Sequence, residues 1–343
     1  MEIAILGAQQ SGKSTLFKIM TSVDSASQFK EVCVKGVAKI PDDRFSRLVE
    51  IFKPKKEVPA AIPFIDLNVK GENAWNTIRK HIGGVDAILH IVDFFSHSDL
   101  KEAVKEYQNL VDEMIISDLV MIENKLEKLQ KMGGNVLGVD DKIQKELFPK
   151  LKDCLESGKS LRTMEINEQQ MISIRGYCFL SLKPELIVLN TSENADSALE
   201  DFKKEIPTGS DVVSICAQVE SEIAELSEDE RKEFLESLGI KTPAFEKIIR
   251  SAFSLLGRIY FFTVGEDEVR AWIIEKGVKA PKAAGTIHKD FERGFIKAEI
   301  VGYEEFIAAG ADMAKSKSAG QLRLEGKEYV VKDGDIINFR FNV

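Results

Sequence analysis

Closely spaced cysteine pairs, apolar runs of bilayer length and an excess of positive charge are all missing from this chain of 343 residues. The four cysteines, Cys33, Cys154, Cys178 and Cys216, are scattered and form no C-x-x-C pair. They read as buried or inert thiols in a reducing compartment rather than as a disulfide framework. The four histidines, His81, His90, His97 and His288, lie far apart with no Asp or Cys at ligand spacing. Neither a histidine-based metal site nor a Ser-His-Asp or Cys-His arrangement is expected from them. No apolar run approaches the length of a bilayer, and Glu2 stands where a leader would carry basic residues. The expectation is a cytoplasmic protein with no membrane partner. A net charge of −9 argues against bulk electrostatic binding to nucleic acid, DNA included, though not against a local basic patch. Trp75 and Trp272 sit among apolar neighbours and read as packing residues. The chain contains no internal repeat and no low-complexity segment.

What is present is a globular composition, 44% hydrophobic and 30% charged, on a length that predicts two or three domains. The N-terminus carries the most informative feature. Met1–Leu6 reads as a short apolar strand, Gly7-Ala8-Gln9-Gln10-Ser11-Gly12-Lys13-Ser14 follows, and Thr15 to Met20 reads as a helix. This is G-x-x-x-x-G-K-[ST] between a strand and a helix, the context that a phosphate-binding loop requires. The glycines let the backbone wrap so that its N–H groups and the helix N-terminus face an anion. Lys13 would reach the β- and γ-phosphates, and the Ser14 hydroxyl would bind Mg²⁺.

Apolar runs at Ala61–Ile65 and Ala87–Val92 read as buried parallel strands with a helix over Trp75–Ile82 between them, and strand signals resume at Leu186–Leu189 and Val212–Ile215. In the region between these two pairs of strands, Ile115, Leu119, Ile122, Leu126 and Leu129 recur at helical spacing. After Gly133-Gly134, so do Ile143, Leu147, Leu151 and Leu155. This predicts an antiparallel helical hairpin. The last stretch reads as a small mixed sheet. One hairpin pairs Arg258–Val264 with Val269–Ile274, a second pairs Leu322–Leu324 with Tyr329–Val331, one short helix lies near Tyr303–Ala308, and the final strand is Ile336–Phe341.

Four further strand ends bear on the site. Asp66 closes Ala61–Ile65, where a carboxylate would hold Mg²⁺ through water; Asp93, at the end of the next strand, is the less favoured rival. Asn190-Thr191-Ser192-Glu193 follows Leu186–Leu189, so Asn190 and Glu193 are placed to hold the loop and read a base edge. Taken alone, the same four residues would also make an ordinary helix N-cap turn. Cys216-Ala217-Gln218 ends the next strand, where backbone amides can cap the base.

This order of motifs resembles the YchF/Obg-like ATPases, translation-factor-related G proteins, over almost the whole chain. Asn190–Glu193 matches the family's Asn-x-x-Glu, and Cys216 to Leu226 looks like its base-capping loop and following helix. Val269-Arg270-Ala271-Trp272, Ala280 to Gly285, His288 to Ile296, and Asp333-Gly334-Asp335 through Val343 look like its terminal TGS domain. The resemblance implies an α/β fold: a P-loop G domain over 1–98 and 177–256, an inserted antiparallel helical hairpin over 99–176, and a C-terminal ubiquitin-like β-grasp (TGS) domain over 257–343. It implies binding of a purine nucleotide, ATP or GTP with ATP favoured, through Gln10, Ser11, Gly12, Lys13, Ser14, Thr15, Asn190, Glu193, Cys216, Ala217 and Gln218. Mg²⁺ would sit on Ser14 and Asp66. The ribosome or a ribosomal subunit is the implied partner, with RNA reached through the TGS domain. The chain departs from the pattern in its switches. Gln10 stands for Asn in the phosphate loop, Lys30 stands where a Mg²⁺-binding Thr belongs, and Asp-x-x-Gly becomes Asp66-Leu67-Asn68-Val69 with Gly71 two residues late. Slow hydrolysis is one expectation; a hydrolysis-defective adaptor acting through the hairpin and TGS domain is the other.

Overall fold

The computed structural model describes residues 1–27, 32–67, 74–96, 99–131, 138–192, 196–227, 230, 233–235 and 242–342. In chain order the strands are β1 Ile3–Gly7, β2 Cys33–Lys39, β3 Lys56–Val58, β4 Ala61–Leu67, β5 Ala87–Asp93, β6 Glu185–Asn190, β7 Asp211–Ile215, β8 Arg258–Thr263, β9 Glu268–Glu275, β10 Phe295–Gly302, β11 Arg323–Glu325 and β12 Asp335–Phe341. The helices are α1 Lys13–Thr21, α2 Asp43–Phe52, α3 Ala74–Ile82, α4 Leu100–Lys131, α5 Val139–Glu156, α6 Glu168–Ile174, α7 Asp196–Glu205 and α8 Ala217–Glu225. They continue with α9 Ala244–Leu255, α10 Ala280–Ile287, α11 Lys289–Arg293, α12 Tyr303–Ala308 and α13 Met313–Ser318. Contacts divide the chain into two compact units, Met1–Val37 with Pro63–Ile248, and Ala38–Ile62 with Ile249–Val343. No helix among the described residues is long and apolar enough to cross a membrane.

One sheet runs in the order β2-β4-β1-β5-β6-β7. β1 pairs parallel with β4 and β5, and β6 pairs parallel with β5 and β7. Burial follows position. Every residue of β5 is buried, as a central parallel strand covered on both faces requires, whereas β2 alternates buried and exposed at the edge. Parallel pairing aligns the strand ends, so Gly7, Asp66, Asp93 and Asn190 finish at one edge of the sheet.

The helical periodicity is realised in α4 and α5, although the connection through Gly133-Gly134 lies outside the described residues. Ile115, Ile122 and Leu129 of α4 are buried with Leu147, Leu151 and Leu155 of α5. The N-terminal half of α4 extends the same apolar cluster onto the sheet: Ala103, Tyr107, Val111 and Met114 join it with Ile88, Val92, Ile187 and Leu189. A buried carboxylate fixes α4 in place. Asp118 is fully buried and accepts from Leu180 N–H at 3.0 Å, Ser181 N–H at 2.8 Å and Ser181 Oγ at 2.7 Å, and it pairs with Arg79 of α3. His90 is also buried, with Nδ1 2.9 Å from Glu185 Oε1, and Glu185 pairs in turn with Arg162.

The second unit is built on a sheet ordered β11-β10-β12-β8-β9-β3. β8 and β9 form the expected antiparallel hairpin, and β12 lies parallel to β8. Ala280, Ala283 and Ala284 bring α10 close onto Phe261, Ala298 and Ile337. The second expected hairpin does not form. β11 pairs antiparallel with β10, while Val330 makes only an isolated bridge to Lys279; cross-strand pairing with a longer partner outcompetes the local turn. The helix near Tyr303 is present as α12, but α10, α11 and α13 accompany it. Residues 38–62 add α2 and the parallel edge strand β3, which pairs Lys56 with Glu268 and Val58 with Arg270.

Candidate functional site

The turn from β1 into α1 uses backbone that only certain residues adopt without strain. Gln10 has φ 66° and Gly12 has φ 95°. A Cβ on Gly12 would stand 2.7 Å from Asn190 Nδ2, and one on Gly7 would stand 2.3 Å from the Ile91 carbonyl oxygen. Both glycines are therefore required by close approach as well as by φ. α1 has no side-chain cap and no acidic residue in its first turn. Its leading N–H groups and positive dipole end thus carry no anion of the helix's own, the arrangement that receives a phosphate.

Around this loop the structure brings three strand ends together. Lys13, half-buried, donates to the Ala8 carbonyl oxygen. Burial holds its ammonium below the usual lysine range, opposed by the negative charges of Asp66 and Glu106. Asp66, 3% exposed, accepts Ser14 Oγ at 2.9 Å on Oδ2, while its Oδ1 has no partner among the described residues. Asp93 makes a turn instead, accepting from Phe95 N–H at 3.0 Å and Ser96 N–H at 3.1 Å. Asn190 donates from Nδ2 to the Ser11 carbonyl and accepts the Ala217 N–H on Oδ1, each at 3.1 Å. These partners lie 179 and 27 residues away in sequence, so the side chain ties the phosphate loop to the β7–α8 junction rather than capping a neighbouring turn. Thr191 N–H donates to Ile215 O at 2.7 Å and closes the same junction.

Of the remaining expected residues, Ser11 and Ala217 are buried, Gly12 and Cys216 are half-buried, and Gln10, Thr15 and Gln218 are exposed. Lys30, Asn68, Val69, Gly71 and Glu193 lie outside the described residues. Two neighbours of the site carry no signal in the sequence. Ser25 donates to Asp66 Oδ2 at 2.6 Å, and Glu106 of α4 accepts the Asp93 N–H at 3.1 Å. Neither belongs to a motif, and only the folded chain brings them to the strand ends. Glu220, in α8, is buried and accepts the Ala244 N–H at 2.6 Å; burial pushes its carboxyl up, against the pull of the Ala244 and Phe245 N–H groups.

A parallel sheet that leads through G-x-x-x-x-G-K-S into an uncapped helix, with Asp66 and Asn190 converging on that loop, defines a P-loop nucleotide-binding protein of the G-domain type. Comparison with known proteins narrows the class. Residues 258–342 match the family model YchF-GTPase_C, described as a protein of unknown function (DUF933). The chain is 41% identical to the Ribosome-binding ATPase YchF of Bacillus subtilis (strain 168), over 99% of this chain and 98% of that protein. It is 32% identical to the Obg-like ATPase 1 of Caenorhabditis elegans, over 100% of this chain and 92% of that protein. The structure of the Schizosaccharomyces pombe YchF GTPase superposes with a TM-score of 0.85 at 27% identity, covering 99% of this chain and 97% of that one. The chain belongs to the YchF family.

Proposed function

We propose that this chain binds a purine nucleoside triphosphate with Mg²⁺ and hydrolyses ATP slowly as a regulatory factor acting on the ribosome. The convergence of Lys13, the Ser14–Asp66 pair and the Asn190 bridge on one loop carries the reading. Lys13 would neutralise the β- and γ-phosphates, and the N–H groups from Gln10 to Thr15 would surround them. Mg²⁺ fits Ser14 and Asp66, because a buried carboxylate oxygen there has no partner among the described residues and this ion prefers hard oxygen donors. Asn190 and Glu193, with Cys216, Ala217 and Gln218, would form the base pocket. In this reading 1–98 and 177–256 make the G domain, 99–176 the helical insertion, and 257–343 a TGS domain that contacts RNA. The ribosome as partner is supported by relatives that carry the name Ribosome-binding ATPase YchF.

A second reading, an adaptor that binds nucleotide without turning it over, is favoured by Lys30 and Val69. An ammonium has donors only and cannot ligate Mg²⁺. The deciding experiment measures ATP and GTP binding beside single-turnover hydrolysis. Lys13→Ala deletes charge-assisted contacts contributing about 1.5–3 kcal/mol each, so triphosphate affinity should fall tenfold or more. Unchanged affinity in the folded variant would mean that the loop holds no phosphate. Glu193 is one methylene longer than the Asp that reads guanine, so ATP should bind at least as tightly as GTP. GTP displacing labelled ATP at a lower concentration than ATP itself would refute that preference.

A further inference from the structure

Ser25 lies outside the phosphate loop and its helix, yet it is 5% exposed and its hydroxyl donates to Asp66 Oδ2 at 2.6 Å. Ser14 donates to the same oxygen at 2.9 Å. Two hydroxyl protons therefore converge on one carboxylate oxygen, while the other oxygen of that carboxylate has no partner among the described residues. A serine hydroxyl has one proton and two acceptor lone pairs. With both protons directed at Oδ2, the lone pairs are what the two side chains have left to offer, and a metal cation beside the carboxylate is a species that accepts them. Two neutral hydroxyls and one carboxylate, completed by phosphate oxygens and water, are the hard donors that Mg²⁺ accepts. The local sequence points the same way. Between Thr21 and Thr77 the chain has no threonine, so the hydroxyls available between α1 and Asp66 are serines, and of these Ser25 reaches the carboxylate.

We propose that Ser25 belongs to the Mg²⁺ site, holding Asp66 in register and supplying a second hydroxyl oxygen beside that of Ser14. The proposal rests on the reading of this loop as a Mg²⁺–nucleotide site. It gives the chain a way to complete the metal shell that does not depend on Lys30.

The test uses the full-length protein and two measurements on each variant: ATP binding in EDTA, and the Mg²⁺ concentration that half-saturates the metal-dependent gain in ATP affinity. Ser25→Ala should raise that Mg²⁺ concentration by about ten- to hundredfold, the usual cost of losing a group that orients a metal ligand, and leave binding in EDTA unchanged. Electron paramagnetic resonance of Mn²⁺ with ATP reads the metal directly and should report the same weakening. A Ser25→Ala protein with the parent's Mg²⁺ dependence would overturn the assignment while leaving the nucleotide site intact. Equal losses with and without metal would overturn it as well, since damage to the fold moves both constants together. A parent protein that binds no ATP in either condition would overturn the functional reading itself.

Discussion

Asn190→Ala removes the side chain that joins the phosphate loop to the β7–α8 junction. Asn190 is 7% exposed, and both ends of its amide are engaged, with Ser11 O and Ala217 N–H at 3.1 Å. Truncation leaves a buried acceptor and a buried donor without their partner, at about 1–3 kcal/mol for each group. Water entering the space left by the amide would restore part of this, so the expected loss of unfolding free energy is about 2–4 kcal/mol. Urea denaturation should register it as a lower midpoint at unchanged slope. The same change releases the loop, so ATP affinity should fall in parallel. Asn190→Asp sharpens the test. It is nearly isosteric and keeps an acceptor for Ala217 N–H, but it turns a second carboxylate oxygen toward the Ser11 carbonyl. Two acceptors then face each other, and Asp should be no better tolerated than Ala. An alanine variant within about 0.5 kcal/mol of the parent, the range of ordinary surface substitutions, would refute the reasoning. So would an aspartate variant as stable as the parent.

Asp118→Ala should be costly for a different reason. It withdraws the carboxylate from Leu180, Ser181 and Arg79 at once, and breaking a buried pair from one side costs about 3–5 kcal/mol; a urea midpoint within error of the parent would count against this anchor for α4. Glu185 predicts a pH dependence. Burial would raise its carboxyl, but the Arg162 guanidinium and His90 hold it below the usual glutamate range. A depressed folded pKa contributes stability that is fully present above the unfolded value of about 4.3 and is lost as pH falls through the folded value. Glu185→Gln should therefore be less stable than the parent at pH 7, with the gap narrowing below about pH 4. A gap that stays constant from pH 7 to pH 3 in thermal melts would refute the assignment.

The features readable along the chain were those whose physics is local. Gly7 to Ser14 is contiguous, so the phosphate loop is written out in order, and the flanking strand and helix follow from the apolar run before it and the helical spacing after it. β5 and β6 announce themselves as apolar stretches, interrupted in β5 by His90, because both faces of a central parallel strand are covered. The heptad-like rows of α4 and α5 follow from the same burial logic. Pairings between distant segments were decided elsewhere. Leu322–Leu324 and Tyr329–Val331 flank a convincing turn, yet β11 pairs with β10 because strand pairing depends on the neighbours that the whole sheet offers. β3 adds to the second sheet from more than 200 residues upstream of its partner β9, a placement that no window of sequence contains. The site divides in the same way. Lys13, Ser14, Asp66 and Asn190 were recognisable by motif, but Asn190's two bonds, Ser25's donation to Asp66 and Glu106's approach to Asp93 arise only when parallel pairing brings the strand ends to one edge. Residue type is set along the chain, whereas the partner of a buried polar group is set by what the fold packs beside it, since each such group must find its hydrogen bond there or bear the cost of going without.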